Sequence, residues 1–402
     1  PLPISVVLGF TAILLAGAFF LVRINPACRQ NLAVHHAQYQ ELAEALSEGK
    51  VSVGDAEKAL LAVKNPYDTI ALQAAGIGYR ADYAYHDGKY YVYFGIVPVL
   101  LLYLPYYLLT GGALQNYVAV FVFFAGFIIA AAGFVYELMK RYFKEQPFYL
   151  WAVGTGMLVG SYSMFYLLIR PDLYHVPIAA STMFATAGLW MYLAGLNRPK
   201  KAVGLYAFGS FCMALTAGCR PQFILFAALA VVLFWERVFV KRELFSKKGW
   251  RQTAALVVPY VLIAAGLMAY NALRFGSPFD FGASYSMTSN DMTHRGTNLE
   301  RILYGIWYFL FEPMQLEGKF PYLQSASIAT DYLGKLVTES WFGGIFACSM
   351  LTWGIFLLGR LKKNGVLSKE LTWFCCVSLA AALVIGCVDA NGAGILIRYG
   401  CD

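Results

Sequence analysis

Charge is scarce in this chain: only 13% of its 402 residues are Asp, Glu, Lys or Arg, about half the share usual in a soluble domain. Histidine is scarcer, with five residues, and no C-x-x-C pair joins any of the eight cysteines. The P-loop, the dinucleotide glycine motif, HExxH and the nucleophile elbow are all missing, so no motif argues for nucleotide, zinc-protease or serine-hydrolase chemistry. Too few polar residues remain to cover the two or three domains that a soluble protein of this length would form. What is abundant is apolar. Hydrophobic residues make up 59% and aromatics 16%, and the mean hydropathy is +0.57. Most of the chain must face lipid or other helices, so the expected fold is an all-α, polytopic transmembrane helical bundle.

Lys and Arg (31) outnumber Asp and Glu (23), giving a net charge of +8. A nucleic-acid partner would call for that excess on one aromatic-studded face. Here it falls in short clusters between apolar runs: Lys140-Arg141 with Lys144, Arg198 with Lys200-Lys201, Arg237 to Arg251, and Arg360 to Lys369. That is the positive-inside pattern of cytoplasmic loops. No nucleic-acid partner is expected; membrane lipids are. Cys212, Cys348, Cys375, Cys376 and Cys387 lie in apolar runs as small hydrophobes, and nothing pairs Cys28 or Cys401.

Five regions follow. Residues 1–22 form a first transmembrane helix, with no A-x-A cleavage site and enough length to span. Residues 23–90 form an external loop carrying eight acids (Glu41, Glu44, Glu48, Asp55, Glu57, Asp68, Asp82, Asp87). Tyr39, Leu42, Ala43 and Leu46 repeat there at helical spacing, and a second short helix is expected through Ala59, Leu60 and Val63; both suit the membrane interface. Residues 91–273 are a transmembrane bundle, residues 274–341 a second external loop with a short, re-entrant-length run at Ile302–Phe311, and residues 342–402 C-terminal transmembrane helices. The chain starts at Pro1 and stops at Asp402, so it is expected to be a piece of a longer protein. One conflict stands in this scheme: with the first loop external and Lys140 cytoplasmic, the span 91–138 must cross an odd number of times, yet it holds two apolar runs joined at Gly111-Gly112.

The scarce ionisable residues at helix ends opposite the basic clusters are the candidates for chemistry, because charge near a bilayer is costly to keep. Arg170-Pro171-Asp172 and Arg220-Pro221 sit at such ends; for both arginines snorkelling and function weigh about evenly. An Arg170–Asp172 ion pair is the plain alternative to a site. The tract Arg80 to Gly95 brings Asp82, Asp87, Lys89 and six aromatic rings to the mouth of a helix. The rings alone fit an aromatic belt, whereas Asp82 is a candidate general base if partly desolvated. Asp87 before Gly88 reads as a turn former, and His86 is a lone histidine rather than a metal ligand. In Asn271 to Tyr285, Arg274 is placed to hold a phosphate.

Several of these tracts together resemble bacterial GT-C-type membrane glycosyltransferases, the distant relatives of protein mannosyltransferases and aminoarabinose transferases. They are Asn65-Pro66-Tyr67-Asp68, Asp87-Gly88-Lys89-Tyr90-Tyr91 with Tyr93-Phe94-Gly95 and Pro98, and most specifically Tyr270-Asn271 with Arg274-Phe275-Gly276-Ser277-Pro278. The resemblance implies a GT-C-like bundle, a polyprenyl-phosphate-linked sugar donor bound at the outer membrane face, and a polysaccharide, lipid or protein acceptor of the cell envelope. It implies catalytic roles among Asp82, Asp68 and Asp172. It implies that Lys89 and Arg274 hold the donor phosphate and that Arg398-Tyr399, which with Asp402 resembles an Arg-Tyr-x-x-Asp motif, lies near the donor site; Arg170, Arg220 and Tyr285 join these as substrate-binding candidates from their own places in the sequence. The chain lacks the family's Asp-Glu pair after helix one and its Lys-Pro-Pro-Leu motif. No cofactor is fixed, and a divalent metal is compatible with the acidic sites. The competing class, a transporter or flippase of a lipid-linked or anionic substrate, calls for charged or broken helices at mid-membrane and a weak inverted repeat.

Overall fold

The computed structural model describes residues 4–28, 37–161, 164–247, 249–288, 291–320, 322–326, 337–338, 340–392 and 394–401. It is 69% helix and 5% strand. Seven helices are long and apolar enough to cross a membrane: α1 (Ile4–Ile24), α5 (Asn116–Tyr142), α7 (His175–Asn197), α8 (Ala202–Cys219, entered through a turn at Pro199), α9 (Pro221–Val240), α10 (Trp250–Phe275) and α12 (Lys369–Gly392). The shorter helices are α2 (Gln38–Ser47), α3 (Thr69–Ala74), α4 (Ile96–Thr110), α6 (Tyr149–Val159) and α11 (Leu299–Leu310).

The packed centre is α5, α7 and α8. Phe123, Phe124, Phe127, Ile128 and Ala131 recur on one face of α5 and are buried, the helical spacing of an apolar stripe. Small residues bring the backbones together, as lipid-embedded helices require. A Cβ at Gly133 would collide with the Trp190 ring, and one at Gly188 would stand 3.0 Å from the Gly209 carbonyl of α8.

Polar contacts mark two opposite ends of the bundle. At the basic end, Glu137 of α5 is held by Asn197 and Arg198, Arg141 pairs with Glu370 at 3.8 Å, and Arg237 reaches Tyr206 and Gln252. At the other end lie Asp82, Asp172, Arg398 and the Arg220–Asp389 pair at 3.1 Å. The odd-crossing conflict dissolves at α4. Its length is about 22 Å at 1.5 Å per residue, short of a hydrocarbon core of about 30 Å. It docks under α2, with Tyr39 and Tyr103 rings 5.4 Å apart and Tyr103 donating to Asn116 at 2.7 Å. Of the two apolar runs in 91–138, α5 alone has spanning length.

Three expectations are corrected. The expected helix through Ala59 and Val63 is a single turn, Lys58–Leu61. The apolar run 342–359 does not make one long helix: it breaks at Ser349, whose backbone is extended, between Ile345–Cys348 and Met350–Leu357. Nor is the first loop purely helical. It carries a small antiparallel sheet in which β1 (Gly54–Asp55) and β2 (Ala84–His86) flank β3 (Lys89–Tyr91). Asp87 (φ 46°) and Gly88 (φ 77°) join β2 to β3, the two left-handed residues that a tight primed hairpin turn requires. The Ile302–Phe311 run becomes α11, which lies along the last turns of α12 with Gly305 against Ala390.

Candidate functional site

The two loops that are far apart in sequence are stitched together by backbone. Met287 donates to the Tyr83 carbonyl at 2.9 Å, the Asp82 N–H donates to the Met287 carbonyl at 3.0 Å, and Ala84 bridges Ser286. This places Asp82 beside the start of α7 and the segment after α12. Between them is a cavity of about 580 Å³, lined by Asp82, Tyr93, Arg170, Asp172, Tyr174, Arg398 and Tyr399 among others. Two carboxylates and two guanidiniums from three stretches of chain therefore meet in one space.

Tyr174 is the hub. Its hydroxyl donates to Asp82 Oδ1 at 2.5 Å, its ring stacks on Phe94, and the Arg398 guanidinium sits 4.3 Å from the ring centre, a cation–π contact. Burial raises its phenol, and Asp82 and Tyr93 add to the shift, so it stays protonated as a donor. Tyr93, also raised by burial first and by Asp82 second, faces the same carboxylate. Asp82 itself holds a left-handed backbone, φ 62°, an uncommon conformation that Asp and Asn tolerate better than other side chains do.

Asp172 is built differently. Its Oδ1 lies 2.5 Å from His175 Nδ1 and accepts the Tyr174 N–H at 3.0 Å, while Oδ2 is 3.8 Å from Arg170 Nε. Burial alone would raise this carboxyl, but His175, then Arg398 and the Tyr174 N–H, outweigh it and hold it at about 2. A group so stabilised as an anion is a poor proton acceptor near neutrality. His175 is fully buried, with Nε2 lacking a hydrogen-bond partner among the described residues. Behind Arg398, Tyr399 lies between it and Arg220, with guanidinium-to-ring distances of 5.5 and 5.1 Å. Arg220 and Gln222 both donate to Asp389, so Arg220 supports the cavity wall from outside it.

The other sequence candidates lie elsewhere. Asp68 caps α3, accepting the Ala71 N–H at 3.0 Å; Thr69, Ile70 and Gln73 of that helix line the cavity in its place. Lys89 is exposed on β3. Arg274 is buried and donates to the Val92 carbonyl at 2.6 Å and to Asn271 at 2.8 Å, tying α10 to the strand exit of the first loop. Tyr285 packs on His86 at 4.6 Å and on Phe275 at 5.4 Å. Asp402 is outside the described residues. Sequence reasoning passed over Tyr174, His175 and Asp389, and gave Tyr93 no role beyond its place in an aromatic tract. Asp389 was detectable as an acid inside an apolar run, whereas nothing local set Tyr174 apart from the interfacial tyrosines.

Among the described residues, no group of three or more His, Cys, Asp or Glu side chains is arranged to hold a metal ion. No family model, curated protein or solved structure matches the chain, so the reading of this site rests on its own geometry.

Proposed function

We propose that the chain is a membrane glycosyltransferase of GT-C type, moving a sugar from a polyprenyl-phosphate donor to a hydroxyl acceptor of the cell envelope at the outer face. One observation carries the reading: Asp82 and Asp172 share a 580 Å³ cavity with Arg170 and Arg398, at the end of the bundle opposite the basic clusters. A transferase of lipid-linked sugar needs a base and an anion-binding group within reach of one another, and a cavity of this size suits a small sugar.

The acceptor oxygen attacks the anomeric carbon and a new C–O bond forms. The bond from that carbon to the donor phosphate oxygen breaks, and its electron pair leaves with polyprenyl phosphate. The acceptor proton goes to Asp82, which is hydrogen-bonded by a phenol rather than paired with a cation. Asp172, held at about 2, is reserved for electrostatics: it fixes Arg170 and His175 and faces Arg398, whose positive charge offsets the departing phosphate. Partial exclusion of water strengthens each of these terms.

Position weighs against a transporter. The ionisable groups gather at helix ends rather than at the midplane expected of a substrate path. The test is transfer of labelled sugar from polyprenyl-phosphate donors by purified protein. Activity that survives Asp82→Asn undiminished would remove Asp82 as the base. Donor-independent movement of lipid across vesicles, without transfer, would replace the enzyme with a flippase.

A further inference from the structure

A second cavity lies at the basic end, about 900 Å³ between the end of α5, the start of α6 and the start of α12. Its charged lining is unbalanced. Lys140, Arg141 and Lys144 stand against one carboxylate, Glu370. Glu370 is 3.8 Å from Arg141, and among the described residues neither Lys140 nor Lys144 has a carboxylate partner. Apart from Gln146 and Asn197, the remaining wall is apolar or aromatic, including Trp151 and Phe148. Trp151 is fully buried with its indole N–H donated to the Ala132 carbonyl at 3.0 Å, so this wall is rigid. Phe148 is half exposed at the entrance.

Such a space suits an amphipathic anion: the two unneutralised ammoniums face a phosphate while the aromatic side takes hydrocarbon. The volume is many times what a free phosphate fills, about that of a small drug-sized guest. Clustered Lys and Arg at the cytoplasmic end of membrane helices attract anionic head groups at about 1 kcal/mol per residue. We infer that this cavity is a binding site for the phosphate head group of an anionic phospholipid of the inner leaflet. It is separate from the outer-face cavity and stands or falls without the transfer reaction. A bound lipid would add a bridge among α5, α6 and α12, where Trp151 of α6 already bonds Ala132 of α5 and the long Arg141–Glu370 pair joins α5 to α12.

The test uses the whole purified protein in detergent, read by native mass spectrometry with phosphatidylglycerol, with phosphatidylcholine, and with inorganic phosphate as competitor. Retention of phosphatidylglycerol over phosphatidylcholine, weakened about tenfold by Lys140→Ala with Lys144→Ala, is the expected result. Lys140→Arg with Lys144→Arg should restore it, which separates lost charge from lost folding. A lipid-dependent rise in melting temperature in the wild type and the arginine pair, absent from the alanine pair, gives a second readout. Equal retention of the two lipids, or no effect of the alanine pair, would overturn the site. Displacement of the lipid by millimolar inorganic phosphate would overturn the lipid and assign the cavity to a free anion.

Discussion

Two carboxylates at opposite ends of the bundle, one buried and one half-buried, show how an expensive charge can be used in two ways. Glu137, 1% exposed, is closed in on itself: Asn197 donates to its side chain at 2.8 Å and to its backbone carbonyl at 3.0 Å, and Arg198 completes the pair. It fastens α5 to the end of α7 and faces no part of the outer cavity. Asp82, at the other end, takes a phenol on one oxygen and opens onto 580 Å³ of space. Each charge is held by hydrogen bonds, as burial demands. Burial and pairing on every side leave Glu137 only a structural role, whereas a carboxylate with one face left to a cavity, as at Asp82, is accessible to a guest.

That contrast breaks first at Asp82. Asp82→Asn keeps a side chain that tolerates the left-handed backbone and accepts from Tyr174, so the fold should hold while transfer falls about 10²- to 10⁴-fold, the span of a lost general base; comparing turnover with melting temperature checks both halves. Glu137→Ala should do the reverse. It should cost about 2 kcal/mol of stability by stranding Asn197 and Arg198, the latter partly able to turn to water, with turnover per folded molecule unchanged. If Glu137→Ala abolished transfer in folded protein, the distinction between the two ends would fail.

The acidic limb of the pH profile sharpens the comparison within the site. Asp172 is held at about 2, below its unfolded value near 3.9. Its folded-state value is depressed, so its stabilising contribution is complete above the unfolded value and is lost as pH falls toward 2. A depression of this size is about 2 kcal/mol. Unfolding of the wild type followed from pH 7 to pH 2 should therefore lose an increment below about pH 4 that Asp172→Asn never has. The smallest effect belongs to Asp68. Loss of its cap in Asp68→Ala should cost about 1 kcal/mol, with little change in transfer, and a large loss of transfer in stable protein would return Asp68 to the catalytic group.

How much of this was legible depended on whether the determining contact was local. The spanning helices follow from apolar runs and basic clusters, and counting sides puts Asp172 and Arg398 on one face, though not into one cavity with Asp82. The role of Arg274 does not. An arginine at a helix end looks the same whether it awaits a phosphate or serves a carbonyl, and its partner, Val92, is 182 positions away. The span 91–138 was ambiguous for a related reason, since an apolar run does not say whether it crosses or docks beneath a loop helix as α4 does. Tyr174 was hidden because its importance lies wholly in its neighbours: Asp82 and Phe94 come from the first-loop tract and Arg398 from the segment after α12.

The left-handed backbone at Asp82 also bears on heredity. Few side chains settle there without strain, and the two that do so most readily, asparagine and glycine, are each one nucleotide away from aspartate in the genetic code. Neither carries a carboxylate. On the proposed reading of Asp82 as the base, either substitution would leave a protein that folds and persists in the membrane without the transfer, an intact scaffold rather than a degraded one.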